Sequence, residues 1–140
     1  PWKTQHKVRD VMEKLYSATP DGYCGDEDNG QTSAWYVFSA LGFYPVTPSL
    51  SQYVFGSPLF RKVIINLQNG NKFTIFAEGN KHKNHYIKSL KLNGVNYDKT
   101  WIDYNDIQKG GSLNFEMDIK PNKYFGISNG SKPYSLSNTN

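Results

Sequence analysis

The sequence is short of the residues that build the commonest specialised sites: 140 residues contain one cysteine, three histidines and two methionines. A single thiol closes no internal disulfide, so Cys24 excludes a disulfide scaffold and a cysteine-rich zinc site while leaving the redox compartment open. Long apolar runs are missing as well. The most hydrophobic stretch, Ala34 to Tyr44, is broken by Ser39 and Gly42 and falls short of the roughly 18–20 residues of a membrane span. No initiator Met and no charged-then-apolar leader stand before Pro1, Trp2 and Lys3. A targeting segment is therefore expected elsewhere or already removed, and the chain is expected to be a fragment. Charged residues make up 20%, against 37% hydrophobic and 15% aromatic, which excludes the composition of a disordered chain. One ordinary folded domain, or pieces of two, fits this length.

The net charge of +4 would suggest a nucleic-acid partner only if the basic residues shared one face. They are scattered. The densest patch, Lys81-His82-Lys83-Asn84-His85, falls where a hairpin loop is expected and reads as a solvated loop, so no nucleic-acid partner is expected.

The chain changes character near Pro45. Before it, Val8, Val11, Met12, Leu15 and Tyr16 recur at i, i+3, i+4, i+7 and i+8, which predicts a helix of about three turns with Thr4 as its N-cap, ending before Pro20. Thr19-Pro20-Asp21-Gly22 has turn chemistry, and Tyr23 to Gly30 reads as a polar loop. A second helix, from about Asn29 or Gly30 to Leu41, is closed by Gly42 at the position that favours left-handed backbone. Its residues Ala34, Trp35, Val37, Phe38, Ala40 and Leu41 are apolar nearly all round, which predicts burial on most sides.

From Tyr53 the period becomes two. Val63 to Leu67 and Lys72 to Ala77 flank Asn69-Gly70, and Tyr86 to Leu92 runs through Asn93-Gly94 to Tyr97, so two hairpins are expected. Trp101-Ile102, Ile107 and an alternating strand from Ser112 to Ile119 follow. The fold class expected is α+β: two N-terminal helices over residues 1–45, then an antiparallel sheet or sandwich over 46–140, with a flexible tail over 128–140.

Chemistry concentrates in the loop 25–31, Gly25-Asp26-Glu27-Asp28-Asn29-Gly30-Gln31, with three consecutive carboxylates at the entrance to an apolar helix. Like charges this close oppose one another's ionisation whereas a helix N-terminus favours it, a setting in which a general base can be tuned. Asp28 followed three residues later by Gln31 is equally the pattern of a capping box, so from spacing alone base and cap both stay open, the cap being the simpler. An EF-hand is excluded: the twelfth position from Asp26 is Val37, where a bidentate Glu is needed, and Gly30 fills the fifth, a ligand position. His6, His82 and His85 show no metal spacing and read as surface residues. Cys24 sits beside the acidic loop, which disfavours its thiolate and excludes it as a nucleophile. Trp35, Tyr36 and Phe38 have core spacing, which leaves Trp2 and Tyr23 as the better candidates for stacking on a ligand, with Glu27 a further candidate substrate contact.

Pro1 to Gln5, Pro20 to Gln31, Ser33 to Val46, Phe55-Gly56-Ser57-Pro58 and the segment from Tyr86-Ile87 to Leu92-Asn93-Gly94 resemble the C-terminal end of the α-mannosidases of glycoside hydrolase family 92. The resemblance covers nearly the whole chain and is weakest in the tail. It implies a large bacterial exo-acting enzyme with an N-terminal β-sandwich and a catalytic (α/α)6 barrel, to which this chain contributes the last helices and a terminal β region. It implies inverting removal of terminal, commonly α-1,2-linked, mannose from glycans outside the cytoplasm, at the cell surface, in the periplasm or secreted, with calcium bound to the sugar being cleaved. Two aspartates of this loop activate the attacking water in the family. The matching positions are Asp28, the principal base, and Asp26, its partner. The general acid and most calcium ligands would then lie upstream of Pro1, in the rest of the enzyme, and the isolated chain is expected to be inactive. A rival reading of another class is a carbohydrate-binding or structural β module, in which the sheet from Tyr53 to Ile127 holds glycan and the acidic loop only caps a helix.

Overall fold

A computed structural model describes residues 1–138; the last two residues of the tail expected to be flexible, 139 and 140, lie outside the described residues. The first helix, α1 (Trp2–Leu15), starts at Pro1, whose fixed backbone angle suits a helix start; Thr4 lies inside the first turn and caps nothing. Its most buried residues are Gln5, Arg9 and Met12, one above the other at i, i+4 and i+7, whereas Leu15 is 46% exposed. The face against the rest of the chain is thus partly polar, and two of its polar groups reach partners across the core while the buried Arg9 Nε has none among the described residues. The Gln5 side-chain oxygen accepts the backbone N–H of Ile87 at 3.0 Å, and Arg9 Nη1 donates to the Pro58 carbonyl at 2.8 Å.

The second helix, α2 (Gln31–Leu41), ends as expected at Gly42, where φ is +106° and the N–H reaches the carbonyls of Phe38 and Ser39. A side chain there would also press on Pro58, whose Cβ would stand 3.0 Å from the added atom. Ala34 and Val37 remain exposed, because α2 packs chiefly on the short strand β1 (Phe43–Tyr44) and on α1 and leaves these residues to solvent. Among the described residues no helix is long and apolar enough to cross a membrane.

The remaining chain forms two sheets. β1, β2 (Gln52–Phe55) and a later strand, β7 (Trp101–Asp103), make an antiparallel three-stranded sheet in the order β1-β2-β7. The other sheet has the order β3-β4-β8-β5-β6, from β3 (Lys62–Asn66), β4 (Lys72–Glu78), β5 (Tyr86–Leu92), β6 (Val95–Asn96) and β8 (Gly111–Asp118). Both expected hairpins are present: β3 pairs with β4, and β5 with β6 through a two-residue turn in which Asn93 and Gly94 both have positive φ, the backbone that a twisted hairpin demands. The α+β reading holds, and all pairings are antiparallel except one. β4 and β8 run parallel, joined by the long excursion through β5, β6 and β7. A short helix, α3 (Tyr104–Gln108), not expected from the sequence, follows β7; Asp103 caps it by accepting the Asn105 N–H at 2.8 Å.

Alternation along the two central strands builds the core. Phe73, Ile75 and Ala77 of β4 and Leu113, Phe115 and Met117 of β8 are all buried on one face. Complete burial of each large side chain contributes about 1.5–3 kcal/mol. The same cluster takes in Phe43, and Phe38 and Leu41 of α2 pack against it, so the change at Pro45 is one of secondary structure within a continuous core. The tail is anchored where it begins: Ser131 is 1% exposed, and its carbonyl accepts from both the N–H and the hydroxyl of Thr100.

Candidate active site

The loop between α1 and α2 is organised by a demand of the second helix: its first N–H groups have no partners within the helix. The loop supplies them. Gln31 N donates to the Asp28 carbonyl at 3.3 Å and Thr32 N to the Glu27 carbonyl at 3.2 Å, while Ala34 N makes the first intrahelical bond, to Gly30, at 3.0 Å. Ser33 N donates to the Glu27 carboxylate, 3.1 Å from Oε2, and the Ser33 hydroxyl donates to Oε1 of the same group. Thr32 Oγ1 adds a bond to the Asp26 carbonyl at 3.0 Å.

This arrangement replaces the expected capping box. The N-cap is Gly30, which offers no side chain, and Asp28 does not cap the helix. The physical reason is backbone conformation: Asp28, Asn29 and Gly30 are all left-handed, with φ of 50°, 60° and 90°, whereas a capping side chain works from an extended residue. Glu27, longer by one methylene and placed before the reversal, reaches the helix in its stead. Asp26 and Asp28 are left exposed, and among the described residues neither carboxylate has a hydrogen-bond or ion-pair partner.

Tyr23 lies at this end of the molecule. Its ring meets Tyr16 edge-on at 6.0 Å, and Tyr16 stacks on Trp35 at 5.6 Å and leans on Tyr36 at 4.9 Å. Together Tyr16, Tyr23, Ser33, Tyr36 and Val37 line a cavity of about 410 Å³. Burial, with the Cys24 thiol and the Glu27 carboxylate adding to it, pushes the Tyr16 phenol above its ordinary range, and its hydroxyl donates to the Thr32 carbonyl at 3.2 Å. Tyr16 reads in the sequence as one more apolar stripe residue; its place directly after the last residue of α1, at the start of the connection to α2, is the signal that could have marked it.

Trp2 is not brought to the loop. It stands at the other end of α1, a helix of 14 residues and so about 20 Å long, beside the ammonium groups of Lys3 and Lys123. A larger concavity, about 810 Å³, opens on the sheet between Arg61, Phe76, Lys81, Lys91 and Asn114 and contains none of the candidate residues.

Calcium takes six to eight oxygen ligands. Among the described residues, the one group of three side chains with ligand atoms within 4.8 Å of one another is Glu13, His82 and His85, which the sequence spacing did not show. Its nitrogens do not suit calcium, and two of the three groups are engaged: Arg9 Nη2 lies 3.4 Å from Glu13 Oε1, and His85 Nε2 is 2.5 Å from the His82 carbonyl. The loop carboxylates have the right chemistry but do not form a three-ligand cluster, so the residues present do not make a calcium cage by themselves.

Residues 1–119 match the Glycosyl hydrolase family 92 catalytic domain. A family GH92 inverting mannosidase of Bacteroides thetaiotaomicron is 49% identical and superposes with a TM-score of 0.92 over 98% of this chain and 19% of its own. A family GH92 α-mannosidase of the same organism, solved with mannoimidazole, is 40% identical, with a TM-score of 0.93 over 97% of this chain and 18% of its own. An uncharacterised secreted glycosidase of Arthroderma benhamiae is 28% identical over 139 residues, 97% of this chain and 18% of that protein. The chain thus spans about a fifth of the length of these relatives. It belongs to glycosyl hydrolase family 92.

Proposed function

We propose that the chain is the C-terminal part of an exo-acting α-mannosidase that hydrolyses terminal mannose with inversion, and that it carries the general-base half of the active site. One observation supports this most directly. The Glu27 carboxylate and two backbone carbonyls satisfy the free donors of α2, so the carboxylates of Asp26 and Asp28 have no structural partner among the described residues and stay open to solvent at the helix entrance. In the rival module reading the acidic loop only caps a helix, whereas here Glu27 alone of its three carboxylates meets the first turn of α2, and among the described residues those of Asp26 and Asp28 do not.

In an inverting hydrolysis a carboxylate takes a proton from water on one face of the sugar while a carboxylic acid, roughly 6.5–9.5 Å away, protonates the leaving oxygen on the other. Asp28 fills the first role, with Asp26 orienting the water. The acid belongs to the remainder of the enzyme, together with the leaving-group contacts, so the isolated chain is inactive. Calcium dependence, preference for α-1,2 linkages and action outside the cytoplasm are part of the same proposal; the calcium ligands come mainly from outside this chain, and the location accords with a secreted relative.

The test is mannose release from α-1,2-mannobiose by the intact enzyme, with and without a chelator, beside Asp28→Asn. Asparagine keeps the shape but takes no proton, so the rate falls by roughly 10²–10⁴-fold, the usual contribution of general acid–base catalysis. An Asp28→Asn enzyme of undiminished rate refutes the assignment, and full activity in the chelator refutes the metal requirement.

A further inference from the structure

We infer that Glu27 is a positioning residue, whose lock on Ser33 holds the left-handed reversal that presents Asp28 and Asp26; the inference rests on the reading of Asp28 as general base.

Sequence position alone makes Glu27 another surface carboxylate between two aspartates. The structure separates the three. Glu27 is half-buried and bonded through both of its oxygens to the backbone and hydroxyl of a residue six positions on, while the carboxylates of its neighbours are exposed and unpartnered among the described residues. The bond closes a ring of chain around Asp28, Asn29 and Gly30, the three successive residues with positive φ. Left-handed backbone is disfavoured for any residue with a Cβ and persists only where the surroundings over-determine it. Here the surroundings are the first turn of α2: Gln31 and Thr32 hold the Asp28 and Glu27 carbonyls, and Ser33 holds the Glu27 carboxylate.

A plain cap would not need this reach. Asp, Ser or Thr at the N-cap satisfies a helix start without enclosing other residues. By spanning the reversal, Glu27 ties the backbone of Asp28 to the helix it precedes, and the helix is packed on α1 and on the core through Phe38 and Leu41. The base therefore sits on a rigid element although it belongs to a loop, and a base must be held at near-attack distance from its water to act. Each Glu27 oxygen already accepts from Ser33, which commits the carboxylate to the helix start.

The experiment compares Glu27→Ala, Glu27→Gln, Ser33→Ala and Asp28→Asn in the intact enzyme, measuring kcat and KM separately on α-1,2-mannobiose. A displacement near 1 Å can cost about 100-fold, so Glu27→Ala is expected to lose kcat on that scale with KM unchanged. Glu27→Gln recovers most of the loss, since its amide oxygen still accepts from Ser33 N, and Ser33→Ala lowers kcat in the same direction. If Glu27→Ala does not fold, the Gln and Ser33 variants decide. A rise in KM at retained kcat would show that Glu27 touches sugar and overturn the inference. Wild-type kcat in Glu27→Ala beside a dead Asp28→Asn overturns this inference alone, whereas an active Asp28→Asn overturns the base reading and this inference with it.

Discussion

Gln5 stitches α1 to the five-stranded sheet, and its loss has a calculable cost. Strand β5 carries an irregularity between Ile87 and Ser89 where it pairs with β8, and at that place the Ile87 N–H points to Gln5 rather than to a strand neighbour. Both residues are sealed from water, Gln5 at 2% exposure and Ile87 at 0%. Gln5→Met preserves volume and removes the acceptor, stranding a buried N–H at a cost of about 1–3 kcal/mol. Taking about 2 kcal/mol, and a urea slope of about 2 kcal/mol per molar, the unfolding midpoint falls by about 1 M with the slope unchanged. Equilibrium urea unfolding of the 140-residue chain gives this number, and amide exchange at Ile87 gives its location. A midpoint that does not move, or an Ile87 amide that exchanges as slowly as before, would show that the N–H finds another partner and refute the reasoning.

Two further outcomes concern pH. Burial, helped by the charges of Asp106, Asp103 and Asp98, raises the Tyr97 phenol to about 12, and its hydroxyl donates to the Trp101 carbonyl at 3.0 Å. A raised value means stability that is complete below the unfolded value near 10 and is lost as pH climbs through 12; Tyr97→Phe removes that alkaline loss and costs about 1 kcal/mol at neutral pH. Ultraviolet titration of tyrosinate checks it, Tyr97→Phe deleting one late-ionising phenol from the curve. At the acid end, the Ser51 hydroxyl and then the Asn105 N–H hold the Asp103 carboxyl below its usual range, as Lys88 and then Ser89 do for Glu116. A depressed value gives stability that is present above the ordinary carboxylate range near 4 and disappears as pH falls through the lower folded value, so Asp103→Asn flattens the acid limb of unfolding midpoints measured between about pH 2 and 5.

Much of the fold is legible in the sequence because it rests on local chemistry. Asn93-Gly94 supplies the two positive φ angles of a tight hairpin, Gly42 ends α2, and period-two apolarity marks β4 and β8. Properties set by partners distant in the chain are not legible. The stripe from Val8 to Tyr16 predicts an apolar inner face for α1, yet Gln5 and Arg9 are buried there because a strand irregularity and the Pro58 carbonyl need donors and acceptors. No local signal announces that β4 takes β8 as a parallel neighbour, and α3 is too short for a period. At the site, composition draws attention to the acidic loop, and the family resemblance singles out Asp26 and Asp28. The division of labour within it is hidden, since the choice of Glu27 over Asp28 as the side chain that meets the first turn of α2 depends on three backbone angles that a sequence does not spell out.

The strand that completes the larger sheet is synthesised after all of its sheet neighbours. β8 lies at the centre, with β4 on one side and β5 on the other, and these two have no direct pairing with each other. Until residue 111 has been made, the chain holds two separate hairpins, each marginal in water by itself. The ribosome must therefore release almost the entire segment before its core can close, and the early hairpins wait with their apolar faces uncovered. A chain stopped short of β8 would lose the whole sheet and, with it, the platform against which the helix behind the acidic loop is packed.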